Sequence, residues 1–377
     1  MNKTSDVIII GAGIMGCSAA YYLAKRGVNV TVLERGEVAC GASGRNGSGV
    51  RQSGRDAREM PLALYGVRNI WPYLSEELEA DIEYEQVGNM RVGLTDADRA
   101  ALEKLVSTSQ SRGLPDIHMI SVEEAKERNP LLSDEIVCAS FCPSDGRSNP
   151  MRTTLAYYKK ALAYGAKFVI GTTVLSLKKQ QGRIRQVITT NGIYEADTVI
   201  LCAGQPSRDI MHSVGLTVPI CEKYCEVVIT EPIKKTFAPF TGCVHDFWYA
   251  APQANGSILV GCMTPYLNYD ADYGKEVNTT PIIPWNIQSL LRYMPALRDV
   301  KIIRAWSGSL DKCWDEVPIL SRVSEVPGLI LACGFSGHGF AIGPAVGYTL
   351  SQMTMNEETT VAIDGLRYDR FAIPHKH

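Results

Sequence analysis

The chain has 377 residues, 45% of them apolar and 21% charged, with a formal net charge of −2, a balance that fits a folded globular protein long enough for two cores. A charge so near neutral builds no field to draw nucleic acid or an anionic membrane surface, and no apolar run approaches the length of a membrane span. The eleven cysteines and six histidines are dispersed, with no C-x-x-C and with His375 and His377 at the tail, so reduced thiols are expected rather than a zinc site.

No basic region precedes an apolar, cleavable segment at the start, so the expected location is the cytoplasm. Asp6-Val7-Ile8-Ile9-Ile10 is a short β-branched run that reads as a buried parallel strand. It leads straight into Gly11-Ala12-Gly13-Ile14-Met15-Gly16 and then a helix through Leu23 and Ala24. Gly27 ends the helix, and Val28 to Leu33 alternates as a second strand closing on Glu34. Taken alone, G-x-G-x-x-G is a glycine-rich turn. Between a strand and a helix, with an acid at the next strand tip, it is a dinucleotide fingerprint. The glycines let the backbone approach a pyrophosphate that rests on the helix N-terminus. Glu34 would accept from a ribose 2′-hydroxyl and repel a 2′-phosphate. Which dinucleotide binds stays open at this point.

From Arg35 to Gln52 the chain is small and polar, with five glycines between Gly36 and Gly49. Such a loop can lie along a cofactor, with Arg45 and Arg51 suited to its anionic parts; the alternative is a flexible surface loop. A helix is expected from Arg58 to Leu78, interrupted at Pro72, then a strand over Asn89–Leu94 and an amphipathic helix over Asp96–Ser111. Ser121 opens a short helix that Pro130 stops, and Val137–Phe141 is a strand. Met151–Tyr164 reads as a strong helix. Lys167–Ile170 and Thr172–Leu177 read as strands, and Arg183–Thr190 pairs with Gly192–Tyr194 in a hairpin.

Asp197 to Gly204 resumes the buried-strand pattern of residues 6–10, which makes the first domain discontinuous. Lys223–Glu231, Phe247–Ala251, Ser257–Cys262 and Ile302–Ser309 are strand-like with few helices between them, as in a second domain on a largely antiparallel or mixed sheet. The expected division is 1–85, 146–220 and 325–377 for the cofactor domain, and 86–145 and 221–324 for a substrate domain. Near the end, the strand Gly328–Cys333 runs into Gly334-Phe335-Ser336-Gly337-His338-Gly339-Phe340-Ala341-Ile342-Gly343-Pro344 and a helix over Ala345–Met353. Roughly thirty residues remain, too few for another βαβαβ half. The segment instead reads as a second glycine loop that brings a helix N-terminus to the same cofactor. A cofactor whose reactive ring lies far from its pyrophosphate needs such a closing element.

With both ends read, the chain resembles the D-amino acid oxidase superfamily of FAD enzymes, the group that includes glycine oxidase, sarcosine oxidase with its β-subunit relatives, and D-amino acid dehydrogenase. The resemblance rests on the stretches Val7–Gly16, Val32–Arg35, Gly41–Gln52, Gly146–Arg152, Thr198–Gly204 and Gly334–Phe340, and so covers the whole length. It implies an α/β chain with a Rossmann-type FAD-binding domain and a second α+β substrate domain on a mixed, largely antiparallel sheet. It also implies extended FAD. Gly11, Gly13, Ile14, Met15 and Gly16 would hold the pyrophosphate, and Glu34 and Arg35 the adenosine end. Ser43, Gly44, Arg45, Asn46 and Gly47 would run toward the flavin. Val174 would meet the adenine, Ala203 and Gly204 the ribose and pyrophosphate. Gly337, His338, Gly339 and Phe340 would lie at the pyrimidine edge, where backbone N–H groups stabilise the charge of the reduced ring.

The reaction so implied is oxidation of an amine or amino acid C–N bond, of a secondary or D-amino acid or a sarcosine- or glycine-like substrate, by hydride transfer to flavin N5. The product is an imine that hydrolyses. Two carboxylate anchors of such families are replaced here, by Leu310 after Trp306-Ser307-Gly308 and by Ala341 after Gly-His-Gly-Phe. Arg51 or Lys312 could take their place, with Tyr249, Tyr224 or His245 donating hydrogen bonds. The position that carries covalent flavin in monomeric sarcosine oxidase falls near Ala305 or Trp306, so non-covalent FAD is expected. Two alternatives stand beside this reading: an FAD-carrying or electron-handling subunit of a heteromeric amino acid or opine dehydrogenase, and an enzyme of this fold acting on a hydroxy acid or polyol phosphate. The electron acceptor (oxygen, quinone or a partner protein) is left open.

Overall fold

A computed structural model of the chain describes residues 3–234, 237–246, 248–263, 269–270, 275–276 and 282–371. Phe247, His375 and His377, and the side chain of Cys262, lie outside the described residues.

Two eight-stranded sheets organise the chain. The first runs Ile319–Arg322, Leu329–Cys333, Gly192–Leu201, Thr4–Ile10, Val30–Leu33, Lys167–Val169, with the strands Val174–Gln180 and Arg183–Thr189 added as a hairpin on Gly192–Leu201. Its centre is parallel: Ile9 lies opposite Ile200 on one side and Val32 on the other. These strands are continuous apolar runs because both faces are covered. Val7, Ile9, Val30, Val32, Ile200 and Ile330 pack under the helix Ile14–Ala24 and its neighbours. Ile8, Ile10, Leu33, Val199, Leu201 and Leu331 face the opposite way, onto Leu177, Val187 and Met211.

The second sheet runs Ile302–Cys313, Ile220–Thr230, Ile258–Met263, Trp248–Pro252, Phe240–Cys243, Asn89–Gly93, Cys138–Cys142, His118–Ile120. Every neighbouring pair is antiparallel except Phe240–Cys243 with Asn89–Gly93. The expected architecture, a Rossmann-type unit and a second unit on a mixed, largely antiparallel sheet, is the one observed. We propose that the two sheets mark the two domains, with the strand Ile319–Arg322, upstream of the expected boundary at 325, counted with the first.

Four elements differ from expectation. Gly192–Leu201 is one strand, not a hairpin arm followed by a buried strand. Its exposed Glu195 and Asp197 alternate with buried Tyr194 and Ala196, so nothing breaks it. Around Pro72 the expected helix divides into Met60–Asn69, a 3-10 turn Trp71–Tyr73 and a short turn Leu74–Glu77. The helix Ile282–Tyr293 was not expected among the second sheet's strands; its Leu290 and Tyr293 pack with Val228 and Trp248.

The last helix begins at Gly339 rather than Ala345 and runs to Thr354, with Pro344 inside it. Gly343 and Gly347 let this helix cross Ile14–Ala24 closely. A Cβ on Gly343 would sit 2.6 Å from Ile14 Cγ1, and one on Gly347 would collide with Ser18. The Ser18 hydroxyl donates to the Gly343 carbonyl across that crossing at 3.2 Å.

Candidate functional site

One cleft opens at the carboxyl ends of the first sheet's strands, where Ile10, Leu33 and Cys202 reach it, the usual place for ligands in such sheets. Its floor is the turn into the first helix. Gly11 has φ +106°, and a Cβ there would lie 2.6 Å from the Cys202 carbonyl oxygen, so only glycine fits. Gly13 is the N-cap of Ile14–Ala24 with no side-chain cap, and no acid occupies the first turn. The helix therefore offers amides and a positive dipole end to the cleft. Glu34, almost fully buried, accepts from the amides of Ala12 at 2.7 Å and Gly36 at 2.8 Å.

The loop after Glu34 is ordered rather than free. It contains one helical turn, Ala42–Arg45, and a two-residue strand, Gly49–Val50, paired with Gly146–Arg147. The Ser43 hydroxyl accepts from the Ile14 amide at 2.9 Å, which binds this loop to the fingerprint. Asn46 Nδ2 donates to the Ser43 carbonyl at 2.9 Å, and its Oδ1 accepts from the Ser48 amide at 3.0 Å. The far wall is the second glycine loop. The helix Gly339–Thr354 starts there, again with no side-chain cap and no acid in its first turn.

Among the residues singled out in the sequence, Gly11, Gly13, Ile14, Met15, Glu34, Arg35, Ser43, Asn46, Val174, Ala203, Gly204, Gly337, Gly339 and Phe340 line this cleft. Gly16, Gly44, Arg45, Gly47 and His338 are not part of its lining. Gly16 packs onto the Gly11 carbonyl, and a Cβ on Gly44 would meet Met151 at 2.7 Å. Arg45 staples the loop to the second sheet: its carbonyl accepts from Trp306 Nε1 at 3.0 Å, and its Nη1 donates to the Ser307 carbonyl at 3.3 Å. Gly47 is pressed against the ring of Tyr249.

The four candidates for substrate chemistry separate. Tyr249 lies between Gly47 and Gly261, stacked on Phe240 with centroids 5.0 Å apart, at the junction of the first loop and the second sheet. Arg51 is half-buried at the end of the same loop. The other two do not line the cleft, although the backbone of Lys312 bridges to that of Phe335, which does. His245 is 61% exposed, and its Nδ1 lies 2.6 Å from Asp98, the carboxylate that completes the capping box of Asp96–Ser111. Lys312 pairs with Glu316 at 2.6 Å.

Three residues near the cleft escaped the sequence reading. Asp311 lines it, and its Oδ2 accepts from the Gly334 amide at 2.6 Å. Burial pushes its carboxyl up to about 6 against the pull of the Gly334 and Phe335 amides. Arg55 and Glu59 form a buried ion pair at 2.7 Å. Arg55 Nε and Nη2 donate to the Arg51 carbonyl at 3.1 and 2.9 Å, and Nη1 donates to the His338 carbonyl at 3.4 Å. An acid beside Leu310 and an Arg-x-x-x-Glu spacing were the only sequence signals for them.

A family model described as FAD dependent oxidoreductase matches residues 6–353. The chain is 28% identical to hydrogen cyanide synthase subunit HcnC of Pseudomonas aeruginosa over 95% of this chain and 94% of that protein. It is 25% identical to sarcosine oxidase subunit beta of an Arthrobacter species over 99% of this chain and 92% of that one. Among solved structures, L-proline dehydrogenase from P. horikoshii superposes with a TM-score of 0.91 at 29% identity, over 99% of both chains. No helix among the described residues is long and apolar enough to cross a membrane, and no group of potential metal ligands occurs among them.

Proposed function

The chain belongs to the family of FAD-dependent oxidoreductases, and from that premise we propose that it oxidises the C–N bond of an amine or amino acid. The substrate class is that of secondary or D-amino acids and sarcosine- or glycine-like compounds, and the product is an imine that water hydrolyses. The observation that carries this reading is the meeting of two glycine loops and two helix N-termini free of acidic residues at one cleft, a shape suited to a long dinucleotide with a reactive ring at its far end. Sarcosine and proline enzymes among the similar proteins support the substrate class by their names.

FAD, when bound, supplies the two-electron acceptor. The residues present fit it: Gly11 and Gly13 leave room for backbone contact, and Glu34 presents a carboxylate already accepting from amides. In this reading Gly11, Gly13, Ile14, Met15 and the start of the first helix hold the pyrophosphate, Gly16 keeping that helix close. Glu34 and Arg35 take the ribose and adenosine end, Val174 the adenine, and Ala203 and Gly204 the ribose and pyrophosphate. Ser43, Gly44, Arg45, Asn46 and Gly47 shape the path to the flavin, and Gly337, His338, Gly339 and Phe340 its pyrimidine edge. Arg51 receives a substrate carboxylate, and Tyr249 closes the same end. Their task is to hold the α-carbon in line with the acceptor and keep water away.

The cofactor is held without a covalent bond; acid precipitation should release yellow colour to the supernatant, and colour kept in the pellet would refute this. The function is tested by adding a panel of amines, hydroxy acids and polyol phosphates anaerobically and following flavin bleaching. Bleaching by hydroxy acids or polyol phosphates and by no amine overturns the reading. A second reading, a subunit of a heteromeric dehydrogenase, draws on two similar proteins that are themselves named as subunits. It predicts amine bleaching only when a partner chain is supplied.

A further inference from the structure

The first glycine loop, and the chain that follows it to Gly54, cross one face of the second sheet. A Cβ on Gly47 would strike Tyr249, one on Gly49 would stand 3.3 Å from Phe240, and one on Gly54 3.5 Å from Arg91 Nη2. Strand register accounts for this order of contacts. Arg91 lies opposite Gly242, and Gly242 opposite Tyr249, so the three form one row across the sheet. Residues in such a row share a face. Their neighbours Met90, Val92 and Ala250 point the other way, into the second sheet's core. Arg91 is therefore on the side of Tyr249 and the first loop.

Arg51 comes to the same place from the loop. Its Nη1 stands 3.8 Å from the point where Gly54 would carry a Cβ, the point from which Arg91 Nη2 is 3.5 Å away. Gly54 has φ +75°, which favours glycine, so no side chain of its own comes between the two guanidiniums. Leu105 Cδ1, 3.2 Å from that point, bounds the space on one side. Both arginines are half-buried, and among the described residues neither guanidinium donates a hydrogen bond or joins an ion pair. Burial lowers the Arg91 guanidinium from its ordinary value, against the pull of Asp145. The oxygens of Asp145 are already taken, Oδ1 by the Gln52 amide at 2.6 Å, and Oδ2 by the Ser53 hydroxyl at 2.6 Å and Asn89 Nδ2 at 3.3 Å. Two cations are thus held together, partly out of water, with their donors unused. They repel each other and lack acceptors, a cost that a shared anion removes.

We propose that Arg91 is a specificity-determining residue which, with Arg51, forms a two-guanidinium site for one carboxylate of the substrate. One carboxylate accepting at about 2.8 Å on either side bridges nitrogens about 7–8 Å apart. That span is wider than the two nitrogens can have, given their 3.8 and 3.5 Å distances from a single point. The substrate is accordingly an acid and not a simple amine. The inference rests on the reading above only in placing the substrate carboxylate at Arg51, and it holds whether the bond oxidised is C–N or C–O.

Calorimetric titration of the FAD-loaded protein with propionate, and with propionamide as its uncharged match, tests this. Propionate should bind the wild type more tightly than propionamide does. Arg91→Met and Arg51→Met should each weaken propionate by about 10-fold or more and leave propionamide unchanged. Arg91→Lys keeps the charge beside Asp145 but not the planar fork, and should weaken propionate by a smaller factor. Where Arg91→Met does not retain FAD, Arg91→Lys decides: wild-type affinity for propionate overturns the proposal. Loss of propionate and propionamide in equal measure marks a structural role for Arg91 and also overturns it. Propionate lost only in Arg51→Met overturns the role of Arg91 and leaves the reading of Arg51 standing. Propionate that neither substitution weakens, or that the wild type does not bind, overturns both. Flavin bleaching by an amine has no part in this titration, so a failure here and a failure of the oxidation reading are told apart.

Discussion

Asp311→Asn should make the protein more stable near neutral pH, relative to wild type, than at acid pH. Asp311 follows Leu310 on the strand Ile302–Cys313 and is 8% exposed. Its Oδ2 accepts from the Gly334 amide at 2.6 Å, and its carbonyl accepts from the Ser336 amide at 3.1 Å, so it ties down the second glycine loop twice. Burial carries its carboxyl from 3.8 to about 6. Within that window the unfolded chain has already released a proton that the folded chain keeps. The folded state therefore binds more protons, and stability falls as pH rises through it. About two units at 1.36 kcal/mol each give a cost of about 3 kcal/mol, complete above the folded value. The asparagine carries no such cost. Its oxygen still accepts from Gly334, while its NH₂ group gains no acceptor, an offset of roughly 1–3 kcal/mol present at every pH. The variant-minus-wild-type difference, measured by urea unfolding of the apoprotein, should shift toward the variant by about 3 kcal/mol between about pH 4 and pH 7.5. A difference that stays constant, or moves the other way, refutes the reasoning. Because the removed charge faces the cleft, the midpoint potential of bound FAD should also rise.

Glu34→Ala removes a carboxylate that accepts at 2.7 and 2.8 Å. Losing a charged hydrogen bond of about 1.5–3 kcal/mol should weaken FAD binding by about 10- to 100-fold; a fluorescence titration with unchanged affinity would remove Glu34 from the cofactor site. Gly343→Leu drives a side chain into Ile14 at the crossing of the two cleft helices. It should lower stability by about 1–3 kcal/mol and loosen FAD as well, and a melting temperature at the wild-type value would contradict the close crossing. Asp315→Asn should act with the opposite sign to Asp311→Asn. Burial alone would raise that carboxyl, but bonding to Arg370 holds it at about 2, with Arg58 also paired to it at 2.8 Å. Its contribution is present above the ordinary carboxylate range and is lost as pH falls toward 2. At 26% side-chain exposure it should amount to about 1 kcal/mol. The gap between wild type and Asp315→Asn should close on acidification, and a gap that widens would reverse the assignment.

The parts of the site legible in the sequence are those where the backbone itself does the work. Gly11 to Glu34 could be read because a tight turn, a bare helix end and a strand-tip acid require particular residues at particular spacings. Gly337 to Phe340 could be read as a second approach to the cleft for the same reason. The extent of the last helix could not, because Gly343 and Pro344 argue against helix locally. What overrides them is the contact with Ile14 and Ser18, more than three hundred residues away in sequence. His245 shows the same limit from the other side. It was a candidate donor to a substrate carboxylate, but its partner is Asp98, in the cap of the helix Asp96–Ser111.

Arg55 and Glu59 make the point most fully. At i,i+4 spacing in a charged stretch, such a pair ordinarily lies on a solvated helix face and contributes a few tenths of a kcal/mol. Here it is buried because two glycine loops, one ending at Arg51 and one turning at His338, close over it. The pair fixes a carbonyl of each loop, an anchorage that glycine, which supplies close approach, does not itself provide. The glycines that mark the cleft in the sequence therefore stand beside an ion pair that the sequence does not reveal. Once placed, that ion pair has an oxygen left over, and the group it meets is the imidazole of His338.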